Sequence, residues 1–177
     1  MKWWKHLRTI NRHKWLVMKS CFRLGLVWQG LMHDLSKYSP AEFLMGVKYY
    51  QGDRSPNNAE REAKGYTTAW LHHKGRNKHH LEYWLDYGLH GEGIVGMPMP
   101  TKYVVEMFCD RVAASKNYNR GSYHDGMPLE YYKKGKAGML LHPDTKELLE
   151  RLLTMLAEEG EEATFTYIKQ EVLKKKK

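Results

Sequence analysis

In the stretch LMHDLSKYSPAEF, residues 31–43, His33 stands beside Asp34 at the end of an apolar run, with Lys37 three residues further on. A neutral imidazole next to a carboxylate suits Mn, Fe, Zn or Ni rather than Ca, which prefers oxygen throughout. Adjacent side chains on a regular helix diverge by about 100°. The pair can therefore grip one small ion, or one ion and a bridged second, only at a helix end. The plain alternative is a satisfied helix-end histidine next to a surface acid.

A second stretch, WLHHKGRNKHHLEYW, holds His72-His73 and His79-His80, four imidazoles within nine residues. Protonated, they would repel one another, and burial as cations would be costly. The flanking Trp70, Leu71, Leu81 and Trp84 argue for partial burial, and a metal that holds neutral imidazoles resolves the conflict. Which member of each doublet turns inward is left open. Asp110 lies among Val104, Val105, Phe108, Val112 and Ala113, where an acid needs a partner, either an arginine or a cation. His13, 20 residues before His33, completes the set. In one unbroken helix the two would stand about 30 Å apart, so they can share a ligand only if the chain folds back between them.

His13, His33-Asp34 with Lys37, the downstream histidines and Asp110 together resemble the HD-domain metal-dependent phosphohydrolase superfamily. GLMHDLSK is similar to that family's LLHDIGK stretch, and EMFCDRVAASKNYNRG is similar to its last-aspartate helix. The chain also resembles a small uncharacterised family of bacteria and phages that carries HDLSK and NxHH stretches. The resemblance spans about residues 10–122 and implies an all-α domain of the HD type. It implies that His13, His33, Asp34 and Asp110 ligate a first divalent ion, with His73, His79 and His80 as candidates for a second; His6 is the alternative to His13. Extra histidines are a mark of the branch with two or three metals, which includes cyclic-dinucleotide phosphodiesterases. That branch has GYP after its histidine pair where this chain has NKHHLEYW, which speaks against a cyclic dinucleotide.

The implied activity is hydrolysis of a nucleotide or other phosphoester by a metal-activated water, whose pKa a bound ion lowers towards about 7. Asp34 would bridge two ions, and Lys37 would stabilise phosphoryl charge. Arg76 and Arg111 are further candidate phosphate contacts, with Lys78 and Arg120 behind them. Two other readings stand beside this one. The first is a di-metal oxygenase or other non-hydrolytic metalloprotein on the same fold. The second is a basic nucleic-acid-binding helical module with structural histidines.

Helices must position these residues, because helical spacing dominates and no convincing alternating strand appears. The pattern predicts helices over 4–23 and 26–35, with a break near Gly25. Ser39-Pro40-Ala41-Glu42 combines a capping box with proline at the first helical position and starts a third helix, to about Tyr50. Further helices are expected over 57–73 and 101–117. The glycine- and proline-rich 88–100 reads as a long mobile loop able to cover substrate, and 118–143 reads as irregular. Asp144 is expected to cap a leucine-rich helix stopped by Gly160, with a last helix over 161–175. One domain spans 1–177, its metal core at about 10–122 and its C-terminal helices at 144–175.

The 177 residues are 42% hydrophobic with six tryptophans, enough for a real core. Two cysteines without CxxC spacing exclude a disulfide framework and a thiolate zinc site. The formal charge of +9 favours anionic partners: a small phosphorylated substrate first, then nucleic acid or an acidic membrane surface. Residues 15–32 are greasy, but Lys19 and Arg23 interrupt them, so no membrane span is expected. No signal peptide is read, and the expected location is the cytoplasm. The closing Lys174–Lys177 run reads as a solvated tail. The sequence is silent on oligomeric state.

Overall fold

Nothing in the first 22 helical residues breaks a helix, and α1 (Lys2–Arg23) runs uninterrupted. Its buried residues His6, Ile10, His13, Val17 and Cys21 recur at three- and four-residue steps, so they form one face. Gly25 ends it in the left-handed region (φ 74°). Its N–H donates to the Phe22 carbonyl and that of Leu26 to the Cys21 carbonyl, the bond pair of a glycine cap. The chain then folds back as α2 (Val27–Met32). The expected break is therefore present, and α2 is shorter than expected, giving way to a 3-10 turn over Leu35–Tyr38.

A computed structural model describes residues 1–174. The rest of the lysine tail and the end of the expected last helix lie outside the described residues. α3 (Pro40–Lys48) starts where the proline predicts. The expected capping box does not form: the Ser39 hydroxyl is buried without a partner, and Glu42 is engaged elsewhere. The single helix expected over 57–73 is two, α4 (Pro56–Lys64) and α5 (Thr68–Lys74). Gly65 (φ 80°) ends the first, and the Thr67 hydroxyl caps the second by accepting the Trp70 N–H at 3.1 Å.

The stretch 88–100 is not one long free loop. β1 (Leu85–Tyr87) and β2 (Ile94–Gly96) pair antiparallel, with Leu85 opposite Gly96 and Tyr87 opposite Ile94. A Cβ at Gly96 would lie 2.5 Å from the Leu140 carbonyl, so only glycine lets segment 140–142 pass this close. α6 (Thr101–Tyr118) follows. Within the supposedly irregular 118–143 lies α7 (Met127–Gly135), with proline in its first turn and Tyr132 buried. α8 (Pro143–Tyr167) is kinked at Gly160 (φ 81°) rather than stopped there, and ends in a π turn over Ile168–Val172. Its N-cap is His142, whose Nδ1 accepts the Asp144 N–H.

Apart from the hairpin, the regular elements among the described residues are all helices, an all-α architecture. The apolar core joins α1 (Val17, Cys21), α6 (Val105, Phe108, Val112) and α8 (Leu149, Leu152, Leu156), with the free thiols Cys21 and Cys109 inside it. No helix among the described residues is long and apolar enough to cross a membrane. Arg12 pins α1 to α6 by donating to the Asn117 carbonyl and side-chain oxygen at 3.0 and 3.1 Å.

The corner between α4 and α5, which delivers His72 and His73, is held by buried Glu60. Its carboxylate accepts from Thr67 Oγ1 at 2.7 Å, Thr68 Oγ1 at 2.8 Å and Lys64 Nζ at 3.0 Å. Burial pushes this carboxyl up, but the bonds from Thr67, Lys64 and Thr68 outweigh it and hold the pKa at about 2. A depressed pKa stabilises the fold above the unfolded value of 4.5, and that contribution disappears as pH falls through 2. Glu60→Ala should cost roughly 1–3 kcal/mol in urea unfolding at neutral pH. The gap between variant and wild type should narrow on acidification; a gap that widens would contradict this account.

Candidate metal centre

His33 closes α2 as its C-cap, and Asp34 then adopts a left-handed backbone (φ 55°, ψ 23°). It is the one non-glycine residue with positive φ among the described residues. The conformation costs an L residue on the order of 1–2 kcal/mol, though Asp and Asn tolerate it best. It turns both side chains inward, which a continuing helix would not. His33 and Asp34 are each 1% exposed.

Five imidazoles converge on that one carboxylate. Asp34 Oδ1 lies 3.2 Å from His73 Nε2 and 3.5 Å from His79 Nε2. Asp34 Oδ2 lies 3.3 Å from His33 Nε2 and 3.6 Å from His13 Nε2. His80 Nε2 reaches the cluster through His73 Nε2, 2.9 Å away. Asp110, on α6, stands 2.9 Å from His13 Nε2 and 3.6 Å from His33 Nε2. Two four-residue groups result, His13–His33–Asp34–Asp110 and Asp34–His73–His79–His80, each with donor atoms within 4.8 Å of one another. These buried groups can hold a metal ion, and Asp34 is common to both.

The backs of three of these rings are equally determined. A carboxylate only accepts, so an imidazole nitrogen facing one must carry the hydrogen. Glu106 Oε1 accepts from His33 Nδ1 at 3.0 Å and from His79 Nδ1 at 3.1 Å. Glu42 accepts from His73 Nδ1 at 2.8 Å and from His72 Nδ1 at 2.7 Å. The Nε2 atoms of His33, His73 and His79 are thereby turned towards Asp34, the arrangement that carboxylate support gives metal-ligating histidines. His33, His79 and Glu106 form a third close group, but there Glu106 sits on the Nδ1 edges as a hydrogen-bond acceptor.

Several inward atoms lack partners. Neither Asp34 oxygen accepts a hydrogen bond of acceptable geometry, and His79 Nε2 has no partner. Lys37 Nζ stands 2.5 Å from Asp34 Oδ2 as an ion pair. Nε2 faces Nε2 between His73 and His80, and again between His13 and His33 at 3.5 Å. A proton or a cation shared between such nitrogens relieves each facing pair, and the carboxylates beside them favour one. The donor set therefore fits a metal.

Electrostatics divides the rings. Burial alone would lower His33, but the charge of Asp34, with Asp110 nearby and the hydrogen bond to Glu106, raises it well above the usual histidine value. His73 is raised likewise, Asp34 overcoming burial. Burial and the neighbouring rings hold His79 and His80 down. Burial would raise Asp34 and Asp110, and the facing cationic groups instead pull both well below the carboxylate range.

A cavity of about 650 Å³ opens beside the cluster, lined by His13, Lys37, His73, His79, His80, Asp110 and Arg111. Met127, Glu130, Tyr131 and Lys134 complete its wall from α7, beyond the expected limit at residue 122. Arg111 Nε is buried without a partner, and its guanidinium lies over the Tyr132 ring. Arg76 is not at the site. Gly75 ends α5, and the turn carries Arg76 outward to donate to the His72 carbonyl at 3.0 Å, so it is corrected from phosphate contact to surface residue. Lys78 and Arg120 are exposed as well. His6 belongs to neither donor group and packs between Phe43 and Tyr50, its pKa lowered to about 4 by burial and by Lys37. A Cβ at Gly46 would lie 2.1 Å from His6 Nε2, so glycine is what admits the ring.

Sequence reasoning missed Glu42 and Glu106. Glu106 is four residues before Asp110 and shares its helix face, a spacing that could have exposed it. Glu42 was concealed by a plausible capping role.

The fold and cluster define an all-α protein with a buried histidine–carboxylate cage. Residues 2–155 match the family described as "Family of unknown function (DUF5662)", and the chain belongs to that family. Comparison with curated proteins and with solved structures gives no match.

Because Glu106 fixes two rings at once, Glu106→Ala should weaken metal binding by roughly 10–100-fold while far-UV circular dichroism stays close to wild type. Titration calorimetry with Mn and Zn reads this. Wild-type affinity in the variant would remove Glu106 from the support of the site.

Proposed function

We propose that the chain is a metal-dependent phosphohydrolase of the HD-domain type, acting on a nucleotide or other phosphoester. The observation that carries the reading is Asp34: a buried carboxylate whose two oxygens face two different histidine groups, neither oxygen satisfied by a hydrogen bond. A carboxylate so placed suits bridging of two divalent ions among Mn, Fe, Zn and Ni. Such ions would polarise the phosphoryl group and activate water.

The chain's own residues supply the rest. Glu106 and Glu42 hold His33, His79 and His73 in the tautomer that presents Nε2. Lys37 lines the cavity with its ammonium at the edge of the cluster, where phosphoryl charge would gather. Arg111 offers a second cation at the cavity wall to an anionic substrate. A cavity of this volume is within the range that accepts a nucleotide-sized molecule. The nucleic-acid reading draws little support, since the histidines are buried in the cluster rather than spread over a basic face.

Protein purified without a histidine tag should carry one to two transition-metal ions per chain and release phosphate from a panel of phosphoesters. Asp34→Asn tolerates the left-handed backbone while removing the charge, so it should lose metal and activity with helicity retained. Full metal occupancy in that variant would sink the central assignment. Metal without phosphate release on any phosphoester would favour the oxygenase alternative. Changing His79 and His80 together to Ala should lower a two-ion count to one; an unchanged count with unchanged activity would remove the 79–80 pair from the ligands.

A further inference from the structure

The face of α1 opposite the metal centre is not the polar face that a surface helix normally presents. At 100° per residue, Trp4, Asn11, Trp15 and Phe22 fall within about 20° of one line, while His6 and His13 lie about 180° away. Trp4 is 56% exposed and Trp15 52%. Arg8 and Lys19 flank this stripe on one side, and Lys19 Nζ lies 5.4 Å from the centre of the Trp15 ring. Neither forms an ion pair among the described residues. α2, folded back on α1, continues the surface with Val27, Trp28 (68% exposed), Leu31 and Met32, and Leu35 follows in the next turn. No acid precedes Asp34 in the chain. Exposed aromatic and aliphatic groups of this density normally mark a contact surface.

We propose that this face docks on an anionic lipid bilayer surface, as a peripheral contact that spans nothing. Charge complementarity selects the partner. A second copy of the chain would set Arg8 and Lys19 against the same cations, because a two-fold interface pairs one patch with itself. A nucleic acid would meet the cations and stack on tryptophan, but it gives Val27, Leu31, Met32 and Leu35 nothing to bury against. A bilayer takes all three kinds of group: tryptophan at the headgroup level, aliphatic side chains just below it, and basic groups among anionic headgroups. The cavity is lined by the other face of α1, through His6, Ile10 and His13. Docking therefore leaves that lining face of α1 turned away from the lipid.

The test uses the full metal-loaded chain with vesicles of phosphatidylglycerol and phosphatidylcholine (1:1), against vesicles of phosphatidylcholine alone. Co-sedimentation should occur with the anionic vesicles and weaken in high salt. Tryptophan emission should shift to the blue and be quenched by brominated acyl chains. Trp28→Ala and Trp15→Ala should each weaken vesicle binding by roughly tenfold or more. Both positions are exposed, so circular dichroism and metal content should match wild type and separate this result from any failure of the proposed hydrolase activity. No binding to anionic vesicles overturns the proposal, as does binding indifferent to both tryptophan variants. A dimer in solution that Trp28→Ala dissolves, or a single-stranded oligonucleotide bound while vesicles are not, assigns the face to another partner and overturns it equally.

Discussion

A carboxylate buried without a hydrogen bond is the constraint around which this chain is organised. Asp34 is removed from water, and leaving such a group uncompensated would cost several kcal/mol. The remedy comes from every side: rings from α1, α2, α5 and the following turn, and the Lys37 ammonium from the 3-10 turn. The unusual backbone at Asp34 follows from the same demand. Two adjacent side chains can face one point only where the helix stops and the backbone reverses its hand.

The rings are in turn fixed from behind. Glu42 and Glu106 sit at the Nδ1 edges, so the cluster is a layered charge system: carboxylates outside, imidazoles between, a carboxylate at the centre. Such a system is stable only while each layer is satisfied by the next. It also accounts for the division among the histidines, with His33 and His73 inclined to hold a proton and His79 and His80 inclined to shed one.

The sequence disclosed the parts of this arrangement that rest on local chemistry. The fold-back at Gly25 and the proline start of α3 are properties of a few consecutive residues, and both are where the spacing puts them. The inward member of the first doublet could not be read, because both His72 and His73 meet Glu42, thirty residues away in the chain, and only the fold turns His73 on to Asp34. Glu42 itself shows the limit of local rules: a side chain well suited to cap its own helix is drawn off by two imidazoles. The corner at Gly65 and the short α7 escaped for another reason. Neither is long enough to impose a period, and both are set by what packs against them.

The packing of α1 against α6 has a consequence for how the chain comes into being. The His6–Cys21 face of α1 is complete once residue 23 is made, yet its partner helix ends only at Tyr118. At the usual synthesis rate of about 5–20 residues per second, roughly 5–20 s separate the two. During that interval the part of α1 that meets α6 stands bare, as does the side carrying Trp4, Trp15 and Phe22. α1 is thus a segment in need of shelter on the ribosome until α6 completes the cage, and α8 closes on its far end later still.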